Sequence, residues 1–189
     1  MFNFLFEVYA QGSLDAHVHG EAELNIVFEG RELLMELESP SFNLVGFEHE
    51  PQSLDQQKLV ENTIEKLNNF RQIASISPEA DCKLIEASIS TTMKGLSDGR
   101  KEQHEDEHHE DEHHEDEHHE DEHQHSAKEI HSEFSATYSL RCDKPENLKS
   151  IQLELFSTFE LMEEISVQMI IQGKQGFAEL NPDNPNLKL

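Results

Sequence analysis

The chain has no tryptophan, only two cysteines, and only 14 basic residues against 40 acidic ones, for a formal charge of -26. So few cations among so many anions exclude nucleic acid as a partner, because holding a polyphosphate requires clustered Lys and Arg. No stretch approaches the ~20 consecutive apolar residues that a membrane-crossing helix needs, so no membrane insertion is expected. No nucleophile–base pairing and no phosphate loop is found, which leaves an enzyme the least supported class. Neither Cys82 nor Cys142 lies in a Cys-x-x-Cys pair.

What the chain does have is histidine. Residues His104 to His123 are four perfect copies of His-Glu-Asp-Glu-His, eight imidazoles and twelve carboxylates with no other residue type among them. Such a run has nothing to bury, so its chemistry is directed outward and it reads as disordered. Imidazole nitrogen suits zinc, copper and nickel, and carboxylate oxygen supplies charge or a further ligand. The candidate ligands are His104, His108, His109, His113, His114, His118, His119 and His123, with His125 just beyond. Within each pentad the two histidines stand four apart and would share a helical face. The doublets His108-His109, His113-His114 and His118-His119 cannot share one, which points to several weak, interchanging sites. A calcium buffer would use carboxylates and carbonyls without histidine. The residues leave the metal open among zinc, nickel and copper, and a non-metal interaction module whose acidic arm responds to pH stands beside metal binding.

The cysteines gain meaning from the strands around them. Cys82 to Thr91 alternates, with Leu84, Glu86 and Ser88 on one face and Lys83, Ile85, Ala87 and Ile89 on the other. His131 to Cys142 alternates more clearly, with Phe134, Ala136, Tyr138 and Leu140 forming one face. Paired antiparallel, the two runs bring Cys82 opposite Cys142, and the repeat becomes the tip of a long hairpin. A disulfide there would imply an oxidising compartment; two buried free thiols in a cytosolic protein are the other reading.

Elsewhere the pattern predicts an α+β domain over residues 16–180, a mainly antiparallel sheet packed with one main helix and interrupted by a disordered metal-binding loop over 97–127. Ala16 to Phe28 and Arg31 to Glu38 read as a hairpin turning at Glu29-Gly30. Ser53 with Gln56 makes a capping-box start for a helix from Leu54 to Ile73. Strands follow near Ser150 to Phe156, Ile165 to Gln172 and Phe177 to Leu180, and residues 181–189 read as a loose tail. Residues 1–15 read as a truncated signal peptide, with Val8-Tyr9-Ala10 before a cleavage point at Gln11, or else as a frayed end.

Four further histidines lie in or beside the folded part. His17 and His19 form a His-x-His pair on the expected first strand, where both rings would project to one side, with Glu21 and Glu23 continuing that face as ligands or ring-orienting acceptors. His49 lies in a loop before Pro51, and His131 on the polar face of the strand leaving the repeat.

Together these segments resemble a known family. His17-Val18-His19-Gly20-Glu21-Ala22-Glu23-Leu24, the block from Glu38 to Pro51 that contains Leu44-Val45-Gly46-Phe47-Glu48-His49, one cysteine on each side of a histidine- and acid-rich insert, and Leu155-Phe156 are similar to the ZrgA-type family of bacterial periplasmic zinc-binding proteins. The likeness runs from His17 to Leu180 and departs at the amino terminus, where a complete signal peptide is not recognisable. It implies zinc as the bound ion, components of a zinc importer as partners, and a periplasmic location in a Gram-negative bacterium. It also raises His17, His19 and His49 to functional positions.

Overall fold

A computed structural model describes residues 18–93 and 131–189. The described chain forms a six-stranded sheet in the order β4-β5-β2-β1-β7-β8 and a smaller sheet in the order β3-β6-β9. The large sheet comprises β1 (Glu21–Glu29), β2 (Glu32–Pro40), β4 (Cys82–Thr91), β5 (Glu133–Cys142), β7 (Glu164–Ile171) and β8 (Lys174–Leu180). The small one comprises β3 (Ala74–Ile76), β6 (Ser150–Leu153) and β9 (Asn186–Lys188). Neighbouring strands run antiparallel except β1 and β7, which are parallel. The expected α+β class with one main helix is what folds.

Period-two alternation puts one apolar row of each central strand on the inner face. Leu24 and Ile26 of β1, Leu33, Met35 and Leu37 of β2, Phe134, Ala136, Tyr138 and Leu140 of β5, and Ile165 and Val167 of β7 are all buried. Helix α2 (Leu54–Asn68) packs against β4 and against the short helix α1 (Ser41–Val45), burying Val60 and Leu67. Its start matches the sequence signal, since Ser53 accepts a hydrogen bond from the Gln56 backbone N–H. Tyr138, under the end of α2, donates its hydroxyl to the Leu67 carbonyl at 2.7 Å. Burial pushes this phenol well above its usual range.

Five boundaries differ from the sequence expectation, each for a local reason. The helix stops at Asn68 rather than Ile73: the Asn68 side chain bonds back to the Ile64 carbonyl, and Phe70, still in helical phase, sits in a 3-10 turn against the Tyr138 ring. The first strand begins at Glu21, not Ala16, because Gly20 turns the chain at φ +92. In β4 the register slips between Leu84 and Glu86, so Leu84 shares a face with Ala87 and Ile89 while Ile85 stands out at 65% exposure. The strand expected to reach Phe156 ends at Leu153, and helix α3 (Leu155–Thr158) follows. The carboxyl-terminal segment is not loose: β9 pairs with β6 and buries Leu187.

Antiparallel pairing of β4 with β5 holds from Cys82 opposite Cys142 to Thr91 opposite Phe134. The two cysteines form a disulfide across 60 residues of sequence. Tying off a loop of that length restricts the unfolded chain and stabilises the fold by about 2–4 kcal/mol. The bond sits at one end of the sheet, and residues 94–130 connect the two strands at the other.

A carboxylate between two histidines at the neck of the insert

The end of the sheet from which residues 94–130 depart also holds the start of β1 and the end of α1. Three hydrogen bonds cuff the neck. Thr91 donates its hydroxyl to the Glu133 carbonyl at 2.7 Å, the Thr92 backbone N–H donates to that same carbonyl at 3.1 Å, and the Glu133 N–H donates to the Thr92 hydroxyl at 3.0 Å. Met93 is buried beside them. Ser132, one residue nearer the insert and just ahead of β5, donates its hydroxyl to the Glu48 carbonyl at 2.7 Å.

Glu48 is brought there by the Ser41-to-Glu48 segment. Helix α1 closes at Gly46, whose φ of +81 is the left-handed cap that glycine adopts without strain, and its N–H returns to the Phe42 carbonyl at 2.8 Å. Inside α1, Asn43 is 1% exposed and acts as a clamp. Its side-chain oxygen accepts the Gly20 N–H at 2.7 Å, and its side-chain nitrogen donates to the Glu21 carbonyl at 2.7 Å. A Cβ on Gly20 would lie 3.3 Å from the Glu163 side chain, so backbone angle and space both favour glycine there. The clamp fixes the chain at His19, whose ring stacks on Phe42 at 4.0 Å between centroids and 11° between planes.

These supports converge on one carboxylate. Glu48 Oε1 lies 3.4 Å from His19 Nε2, and Glu48 Oε2 lies 3.2 Å from His131 Nδ1. The glutamate side chain is only 12% exposed, while the histidines are about half exposed, at 52% and 48%. Oε1 is buried without a hydrogen-bond donor. A buried carboxylate oxygen lacking a donor is costly unless a cation or a polarised N–H answers it, and the His19 ring is the group that faces it. Among the described residues no three His, Cys, Asp or Glu side chains already converge as a complete metal cluster.

The expected site residues therefore distribute as follows. His19 and His131 are brought together through Glu48. His19 stands in the turn before β1 rather than on it, and His131 lies just ahead of β5, which starts at Glu133. Glu21 and Glu23 make no ion pair with His19 among the described residues; the carboxylate facing it is Glu48. His49 makes separate contacts, stacking on Phe47 at 4.9 Å with its Nδ1 2.9 Å from the Glu50 carbonyl. His17, His104, His108, His109, His113, His114, His118, His119, His123 and His125 lie outside the described residues, as do residues 1–15 and the expected loop over 97–127. Glu48 was not singled out from sequence; its only signal was a carboxylate just after a glycine-closed helical turn and just before a histidine. Each pentad also spells His-Glu-x-x-His, a pattern that on a packed helix carries two zinc ligands and a general base.

The opposite end of the sheet has a different chemistry. Beside the disulfide, Asp143 pairs with Lys83 at 3.0 Å and with Arg31, and Arg141 lies 3.4 Å from Glu32. Lys83, through its hydrogen bond, holds the Asp143 carboxyl below the usual carboxylate range, and Asp143 in turn raises the Lys83 ammonium.

No helix among the described residues is long and apolar enough to cross a membrane. Comparison with individual curated proteins gives no match. At the level of families the match covers nearly the whole chain: the profile of the ZrgA family zinc uptake protein extends over residues 16–189, taking in the His19–Glu48–His131 neck, both cysteines and the intervening insert. The chain belongs to the ZrgA family of zinc uptake proteins.

Proposed function

We propose that this protein captures zinc in the periplasm of a Gram-negative cell and holds it for a zinc uptake system. The pentad tract is the capturing element. The observation that carries this reading is the antiparallel β4–β5 ladder, which runs from Cys82–Cys142 through one bulge at Ile85 to Thr91–Phe134 and mounts the tract on a covalently closed stem. A tract with nothing to bury gains no position of its own, and the stem supplies one. Eight to nine imidazoles, with carboxylates between them, offer overlapping weak sites that exchange quickly, which suits delivery better than storage. His17 and His49 supplement the tract as further imidazole ligands. The family's role in zinc uptake and the disulfide, a bond that persists in oxidising compartments, support the location. Components of a zinc importer are the natural recipients of the ion.

Four identical His-Glu-x-x-His copies in a run without apolar residues argue for chelation over catalysis. A transition state needs a preorganised site, and such a run lacks any face that packing could fix. The protein is accordingly read as a non-enzyme.

The test is calorimetric zinc titration of the full chain and of a variant whose tract histidines are replaced by glutamine with every acid retained. Most of the zinc stoichiometry is expected to vanish in the variant and to withstand 0.5 M salt, a rough choice well above physiological ionic strength, in the parent chain. Unchanged stoichiometry in the glutamine variant, or binding that fades with salt in both, would return the tract to a charge-only role.

A further inference from the structure

We propose that His19, Glu48 and His131 form an ordered zinc-holding station at the neck of the insert, with Glu48 as a direct ligand shared between the two rings. The inference rests on the zinc-capture reading above and adds a defined site to it.

Three observations converge. The first is spacing. Two ligand atoms bound at about 2.0–2.2 Å to a tetrahedral ion stand roughly 3.3–3.5 Å apart. Both histidine–carboxylate pairs are already near that edge length, at 3.4 Å and 3.2 Å. The second is Glu48 Oε1, a buried anionic oxygen that has no hydrogen-bond donor and is faced by the His19 ring at ion-pair distance. A divalent ion between it and His19 Nε2 would satisfy it. The third is construction. Asn43 clamps Gly20, Phe42 stacks on His19, Gly46 closes α1, and Ser132 ties the Glu48 backbone to the strand that returns from the insert. Each contact fixes a member of the trio or its backbone, and they arise from three separated stretches of sequence.

The set is incomplete by one ligand, and the three groups do not yet converge. The carboxylate is the most buried member of the trio, and the two imidazoles flank it half exposed. Two neutral imidazoles and one carboxylate leave a fourth position open, the arrangement of zinc sites that exchange a ligand rather than of closed structural ones. An open position beside the insert lets a donor hand over its ion by stepwise ligand substitution. The ligand class is a borderline-soft divalent cation with a tetrahedral preference, and zinc fits both.

The experiment uses the full chain loaded with zinc and titrated against chromophoric chelators of graded affinity, so that the last zinc to leave is read separately from the rest. In His19→Ala/His131→Ala that last zinc is expected to be lost as a distinct class, and in Glu48→Gln to weaken by about tenfold or more. The number of weaker zinc ions should stay as in the parent chain. The two histidines are surface-exposed, so a matching circular dichroism spectrum and melting curve show that the double variant folds. If the most tightly held zinc keeps its affinity in the double variant, the station is wrong. The tract variant with glutamine for histidine separates the two readings: retention of one tight zinc there supports the station, and loss of all tight binding overturns it. Retention of the full zinc count would instead overturn the tract reading.

Discussion

The two ends of the six-stranded sheet are built to opposite specifications. At the disulfide end, charges are compensated: Asp143 is answered by Lys83 and Arg31, Glu32 by Arg141, and the strands are covalently tied. At the neck end, charges are left open. Like charges stand opposite each other at both ends, Glu29 with Glu32 and Lys83 with Arg141 beside the disulfide, Glu23 with Glu38 and Glu21 with Glu164 at the neck, so what differs is whether opposite charges stand beside them. Among the described residues none of Glu21, Glu23, Glu38 or Glu48 pairs with a Lys or Arg, and Glu48 meets only imidazoles. The neck end thus lacks, among the described residues, the Lys and Arg partners that the disulfide end has. The tract that the neck's two strands flank in sequence adds twelve further carboxylates.

The comparison can be broken most forcefully at the disulfide end. Cys82→Ser/Cys142→Ser is expected to cost about 2–4 kcal/mol, or roughly 5–15 °C in Tm, by restoring freedom to the unfolded chain. Zinc stoichiometry in the folded protein should be unaffected, since the bond lies at the far end of the β4–β5 ladder from the neck. Differential scanning calorimetry with parallel zinc titration reads both; a loss of zinc in the folded double-serine protein would show the ends to be coupled. A middle-sized effect is expected from Asn43→Ala, which removes the clamp on Gly20 and Glu21 and leaves their backbone groups without partners. About 1–3 kcal/mol should be lost, together with a weakened tightest zinc site as His19 loses its anchor. Chemical denaturation with chelator competition checks the pair, and loss of stability with zinc affinity unchanged would detach the clamp from the site.

The smallest effect concerns acid. Asp143 has its carboxyl lowered in the folded state by Lys83 and then by the nearby arginines, so its stabilisation is present above its unfolded value and fades as pH falls through the lowered one. Asp143→Asn should therefore lower stability slightly near neutrality and by less below about pH 4, where the parent carboxyl has itself begun to protonate. Denaturation midpoints compared across pH 3–7, an approximate window chosen to bracket the carboxylate range, test the sign. A larger deficit in acid than at neutrality would refute it.

Much of the fold could be read from sequence because alternation survives wherever a strand has one wet face. The row Phe134, Ala136, Tyr138 and Leu140 followed from period two, and the expectation that Cys82 opposes Cys142 followed from the similar lengths of the two flanking runs if they pair. What escaped were events that periodicity cannot register. The extra residue Ile85 in β4 reverses the face assignment of everything before it. Asn68 ends a helix that the apolar spacing of Phe70 would continue. Gly20 ends a strand whose alternation runs on without a break in the letters. The site was half legible for a related reason. Histidines are rare enough to notice, so His19 and His131 were candidates, whereas Glu48 is one acid among forty in the chain. Only the turn at Gly46 and the hydrogen bond from Ser132 distinguish it, and both are tertiary facts.

The central claim is that zinc is taken at the neck end, by a tract mounted on a rigid stem. The most direct test is to count zinc ions by native mass spectrometry on the full chain and on a chain lacking residues 101–125, each loaded with the same modest excess of metal. The account predicts a ladder of several zinc-bound species for the full chain that collapses to a single retained zinc after the deletion, with the fold intact. The same ladder on both proteins would contradict it.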